Sequence, residues 1–198
     1  MISHDHRIAA GSSTRSSFRI PQAQRSDLAG WAEYGYRASH SRFFRGLRLH
    51  LLCTLRGLPV AFALTGAKAD ERHTLLSILQ ADPDLLERHR GQILIADMRY
   101  DGRDFEHALA TEGVRLLRKP RQGKPPRTGA HLFKPLRQTI ESINQTLKAQ
   151  LDLERHVGRT PADVTIRVIT RTLTPTAAIW HNDKTGQPTA RSLTAYDH

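Results

Sequence analysis

LRLHLLCTLRGLPVAFALTG (residues 47–66) is two apolar runs hinged on Arg56-Gly57. In the first, Leu47, Leu49, Leu51, Cys53 and Leu55 alternate with Arg48, His50, Leu52 and Thr54, the two-residue period of a strand with one face buried. The second run follows at turn distance, so the pair reads as a β-hairpin ending near Gly66. Downstream, AKADERHTLLSILQ has the pattern of a helix started around Asp70, with Glu71 in its first turn. GQILIAD (91–97) is a short buried strand closed by Asp97, and RDFEHALATEG is a helix ended by Gly113. VRLLRKP is a further strand, and RQTIESINQTLK (137–148) is an amphipathic helix. Hairpin, helix, strand, helix, strand, helix is the order of a mixed α/β layer fold.

The flanks are less regular. Residues 1–28 are rich in Ser, Arg, Gln and His and hold no period for long, which marks a loosely ordered arm. The aromatic-rich stretch WAEYGYRASHSRFF (31–44) reads as core and strand packing. DVTIRVITRTLTPTAAIWHND stays open between strand and helix: Val164, Ile166 and Val168 alternate, while Ala177, Ala178 and Trp180 suit a helix. Trp180 reads as a core residue, and residues 183–198 as a polar tail. One compact domain over residues 29–182 is therefore expected in this chain of 198 residues.

Charge narrows the partner. Thirty Lys+Arg against nineteen Asp+Glu give a formal charge of +11 and a pI near 10.6, which favours a polyanion, with nucleic acid first. No apolar run approaches the roughly 20 residues of a spanning helix, and the N-terminus has no apolar signal core, so a soluble, cytoplasmic protein with no membrane partner is expected. A lone cysteine, Cys53, excludes an internal disulfide and reads as a buried small hydrophobe. The one tight histidine pair, His4 and His6, has no cysteine near it, which excludes zinc-finger spacing. Between positions 114 and 137 lie Arg115, Arg118, Lys119, Arg121, Lys124, Arg127, Lys134 and Arg137 with no acidic residue. The Pro/Gly-rich centre of that run, PRQGKPPRTG, reads as a surface loop, either simply solvated or in contact with backbone phosphates.

In RQTIESINQTLK the helical period puts Leu136, Ile140, Ile143, Leu147 and Leu151 in one apolar stripe, less than about 90° wide. The same period collects Arg137, Glu141, Asn144 and Lys148 on a polar ridge, roughly 90° from that stripe. An exposed i,i+4 ion pair of Arg137 with Glu141 explains part of the ridge without any function. Combined with a strand-ending Asp97 and a basic loop between the two acids, it also suits carboxylates that share divalent metal beside a lysine holding phosphate.

The spacing Arg137-x3-Glu141-x6-Lys148, with Asp97-x-x-Tyr100 and the hairpin upstream, resembles the DDE transposases of bacterial insertion sequences. The blocks YGYRASHSRFFRGLRLHLLCTLRGLPVAFALTGAKADER and FKPLRQTIESINQTLKAQLDLERH are most similar to insertion-sequence family 982, over about residues 25–198. The resemblance implies an RNase H-like mixed sheet flanked by helices, in which three acids bind two Mg2+ or Mn2+ ions that activate water or a DNA 3′-hydroxyl against a phosphodiester. Double-stranded DNA at the element's ends is the implied partner. Asp97 matches the second acid and Glu141 the third, both as metal ligands. Arg137 and Lys148 match the basic companions on the glutamate helix, and Tyr100 the tyrosine after the second aspartate. Lys148 would orient phosphate, together with DNA contacts from Arg115, Arg118, Lys119, Arg121, Lys124 and Arg127.

The chain also departs from that pattern. The family's first aspartate opens an Asp-Ser-x-Pro segment on the first core strand, where this chain has AAGSSTRSSF (9–18) with no acid. Asp5 and Asp27 flank the gap, and Arg99 puts a cation close to Asp97. The expectation is an N-terminally truncated, catalytically impaired transposase that forms homo-oligomers or mixed oligomers with an intact copy. The alternative is a basic DNA-binding module without enzymatic activity.

Overall fold

The computed structural model describes residues 7–17, 27–37, 42–88, 91, 93–96, 98–118, 133–153 and 158–188. Its strands are β1 (Arg7–Ser17), β2 (Glu33–Arg37), β3 (Arg42–Thr54), β4 (Pro59–Gly66), β5 (Ile93–Ala96) and β6 (Arg115–Arg118). Its helices are α1 (Leu28–Trp31), α2 (Glu71–Ala81), α3 (Pro83–Arg88), α4 (Arg103–Thr111), α5 (Phe133–Gln145) and α6 (Pro161–Thr185). The strands form one mixed sheet in the order β2-β3-β1-β5-β6, with β4 also paired to β3. A mixed sheet flanked by helices is the RNase H-like arrangement expected from the sequence.

The hairpin forms where the period changes. Gly57 takes a positive φ of 87°, the conformation glycine adopts without a Cβ penalty, and Thr54 closes the turn by accepting the Leu58 N–H on its hydroxyl at 3.1 Å. Strand β3 is more deeply set than alternation suggests, because His50 and Leu52 are buried along with Leu49, Leu51 and Cys53. Burial of consecutive residues means that both faces of this part of β3 are covered, and Leu52 on one of them enters a core with Leu75 and Leu79 of α2.

Strand β1 runs through the segment expected to be a loose arm. It pairs in parallel with β5, Arg7 opposite Ile93 and Ala9 opposite Ile95. RIAAGSSTRSS has small and polar residues and no apolar alternation, so it lacks the period by which a strand is recognised in sequence.

Two compact units divide the chain where one was expected: residues 1–12, 50–63 and 70–140, and residues 13–49, 64–69 and 141–198. In the first, Leu52, Leu75, Leu79, Leu85, Leu94, Tyr100, Phe105 and Leu109 form the main core. A smaller cluster on the other side of β5 gathers Leu55, Ile93, Leu117, Phe133 and Ile140 around the fully buried Ile95. Asp70 caps α2, accepting the backbone N–H groups of Arg72 and His73 at 2.9 and 3.2 Å. Its carboxyl is held well below the usual carboxylate range, first by the Arg72 guanidinium.

In the second unit, the stretch left open between strand and helix is the 25-residue α6. Its β-branched content favours a strand, but its ends are strongly specified as helix. Thr160 and Asp163 make a reciprocal capping box, Pro161 occupies the first turn, and Gly186 closes the C-terminus at φ 68°. Thr165, Thr170, Thr172, Thr174, Thr176 and Thr185 turn their hydroxyls back onto carbonyls of the preceding turn, so these groups are satisfied within the helix. The aromatics expected in core and strand packing fall on the paired strands β2 and β3 in part, Tyr34 and Phe43 among them, but Trp31, Tyr34, Phe43 and Trp180 are all more than half exposed. Among the described residues no helix is long and apolar enough to cross a membrane.

Candidate active site

Strand β5 is four residues long and covered on both sides: Leu94 and Ala96 enter the main core, and Ile95 the smaller cluster. Asp97, next in the chain, lies outside the described residues. The segment after it is firmly anchored. Residues Met98–Tyr100 make one 3-10 turn, and Tyr100 is 2% exposed with its ring centroid 6.1 Å from that of Phe105. Tyr100 is thus a packing anchor directly downstream of Asp97. Arg99, the cation near that acid, points its guanidinium to Glu71 on α2, with N–O 3.1 Å.

Beyond the turn sits a network for which no role was expected from the sequence. Arg118, at the end of β6 and opposite Ala96 in the ladder, donates from Nε to Glu106 on α4 at 2.6 Å and pairs with the Asp101 carboxylate at 2.6 Å. Arg72 donates to the Asp101 carbonyl at 3.1 Å. These bonds tie the ends of β5 and β6 to α2 and α4. Arg118 itself is buried, unlike the exposed phosphate contact expected of it. The signal was the strand period: Arg115 and Arg118 are three residues apart, so they face opposite sides, and only Arg115 is exposed.

Glu141, expected as the third acid, is on α5, exposed, as is Arg137 one turn earlier. Helix α5 docks through Ile140, which packs in the cluster around Ile95, and through the Thr139 hydroxyl, which donates to the Leu55 carbonyl at 3.4 Å. Helix α5 ends at Gln145 and gives way to a π-helical turn over Thr146–Gln150, so Lys148 is off the regular register that put it on the ridge. Lys148 is half-buried there beside the fully buried Leu147. Turns of this kind are often found at functional positions. Lys119, Arg121, Lys124 and Arg127 lie outside the described residues.

With this geometry in place, a family model described as a transposase DDE domain matches residues 15–174. The chain belongs to that family. No curated protein matches it. Asp97, Arg137, Glu141 and Lys148 all lie within the matched span of the transposase domain.

Of the acids singled out in the sequence, Asp5 and Asp97 lie outside the described residues. Strand β1 contains no carboxylate, and Asp27 is exposed ahead of α1. Among the described residues no three His, Cys, Asp or Glu side chains are grouped to hold a metal ion. A pair of ions roughly 4 Å apart needs a further shared carboxylate beside any two acids.

Proposed function

We propose that this transposase domain is of the insertion-sequence family 982 kind and binds double-stranded DNA at the ends of its element, with impaired cleavage chemistry. Asp97 and Glu141 are its remaining acids, and Arg137 and Lys148 their basic companions. The observation that carries this is the packing of Ile140 against Ile95. Both residues belong to the first unit, and in the sequence Ile140 immediately precedes Glu141 and Ile95 stands two before Asp97. Two carboxylates favour weak Mg2+ or Mn2+ binding, and the acid-free β1 supports loss of turnover rather than loss of fold.

Phosphate contact falls to Arg115, Lys119, Arg121, Lys124, Arg127 and Lys148, with Arg118 left to its ion pairs. Two assays test the reading on the full chain with DNA carrying the element's ends. Binding should weaken with salt, and alanine at Lys119, Arg121, Lys124 and Arg127 should lower the log–log slope by about 0.9 for each phosphate no longer neutralised; an unchanged slope removes the loop from the interface. Nicking with Mg2+ or Mn2+ should be weak or nil and absent in Asp97→Ala or Glu141→Ala. Efficient nicking by the variant lacking both acids sinks the assignment. The acid-free β1 also favours a second reading, a purely DNA-binding module that competes or co-assembles with an intact transposase; it predicts binding with no nicking under either metal.

A further inference from the structure

Helix α6 has two apolar faces. Val164, Val168 and Thr172 are buried, as is Asn182, and they lie on one side of the helix. On the other side Ile166 is 63% exposed, Ile169 41%, Leu173 58% and Trp180 58%. With the exposed Ala177, these residues fall within an arc of about 80°, centred roughly 150° from the buried face. A continuous stripe of large apolar side chains pointing at water is unusual for a surface helix, where isolated ones are ordinary.

The spacing of the stripe is symmetric. Steps of three, four, four and three residues lead from Ile166 through Ile169, Leu173 and Ala177 to Trp180. Laid antiparallel on itself about Leu173, the helix sets Ile166 against Trp180, Ile169 against the small Ala177, and Leu173 against Leu173. The same register sets the exposed Lys184 of one copy over the exposed Ala162 of the other. There the lysine stem covers a small apolar residue while its ammonium reaches the neighbouring Asp163, which is exposed on the flank of the same face. A surface that maps onto itself by a two-fold rotation, with large residues facing smaller ones and opposite charges meeting at both ends, is what an isologous interface requires. A parallel arrangement would put Trp180 on Trp180 and Lys184 on Lys184.

We infer that the stripe on α6 is the docking surface for a second copy of this chain, packed antiparallel about Leu173. A specific interface buries roughly 1,000 Å² or more in total, so the stripe has to be covered along its whole length, from Ile166 to Trp180, in both copies. The composition of the helix fits this role. TIRVITRTLTPT is rich in β-branched residues, with low intrinsic helicity, and packing on both faces compensates for that. This inference does not depend on the DNA-cleavage reading, because it needs neither acid nor metal.

The test is the mass of the full chain in solution by sedimentation equilibrium at micromolar concentrations. A dimer is expected, with Leu173→Glu weakening it by at least about tenfold in Kd while circular dichroism stays unchanged. Lys184→Glu should also weaken it, by a factor that shrinks as salt is raised. Under mild oxidation Leu173→Cys should form a cross-linked dimer and Ile166→Cys should not. The native Cys53, which is buried, serves as the background control. A monomer at all concentrations, a dimer untouched by Leu173→Glu, or equal cross-linking at positions 166 and 173 overturns the inference.

Discussion

Replacing Arg118 separates a structural from a DNA-binding arginine. Its guanidinium makes two contacts of 2.6 Å, to Asp101 and Glu106. The side chain is 11% exposed, against 19% and 34% for its partners. Hydrogen bonds to charged groups contribute about 1.5–3 kcal/mol each, and removing one member of a buried ion pair costs about 3–5 kcal/mol. Both carboxylates keep some access to water and can rehydrate, which places Arg118→Ala near 2–4 kcal/mol, against the ~0.2–1 kcal/mol of an exposed pair. Urea unfolding of the full chain measures this directly. Arg118→Met combined with Asp101→Asn and Glu106→Gln should recover much of the loss, since no unpaired charge then remains. Arg115→Ala, on the exposed face of the same strand, should stay within about 0.5 kcal/mol but reduce the salt dependence of DNA binding. If Arg118→Ala costs less than about 1 kcal/mol and flattens the salt slope as Arg115→Ala does, the network is not structural and the reasoning fails.

Thr160→Ala removes the hydroxyl half of the α6 capping box and should cost about 1 kcal/mol in urea unfolding; no change would show that α6 is held without its cap. Asp70 and Asp163 are both lowered in the fold, Asp70 chiefly by the Arg72 side chain and Asp163 chiefly by the Arg159 backbone N–H. Their stabilisation is therefore complete above the ordinary value of 3.8 and lost as pH falls through the folded values, so the stability gap between wild type and Asp70→Asn should shrink on acidification. A gap independent of pH would mean that ionisation of Asp70 plays no part. Burial pushes the Cys53 thiol up to about 12, so it should react with a disulfide reagent only as fast as the chain opens, with a large acceleration in denaturant.

The hairpin, α2, β5, α4, β6 and the core of α5 were legible because each carries a periodic apolar pattern together with a boundary residue, such as Asp70 or Gly113. Strand β1 was not, and the reason is physical: its partner in the sheet is far away in sequence, and its own residues, small and polar, carry no apolar period. Helix α6 was half legible. Its Thr-Pro-Ala-Asp start is a capping signal that outweighs the strand propensity of TIRVIT, and reading composition without the cap left it open. Trp180 was read as core because tryptophan is usually sheltered, but the inward face of α6 is already supplied by Val164, Val168 and Thr172.

The site shows where reading by residue type stops. Glu141 and Arg137 come into register on a regular helix, as the period implies, but the π turn displaces Lys148 from that register, and nothing in QTLKAQ signals it. Arg118 belonged to a basic run by composition and to a buried ion network by strand parity, and parity is the stronger constraint because it fixes which face a side chain leaves from. The same distinction bears on the proposed reading of an acid-free β1. A parallel ladder such as β1 on β5 is made by backbone groups, so it does not require a carboxylate on β1, whereas a two-ion site needs every shared carboxylate. On that reading the anchored Tyr100 turn and the packing of Ile140 on Ile95 persist whether or not the chain cleaves DNA, and only the nicking assay separates the two.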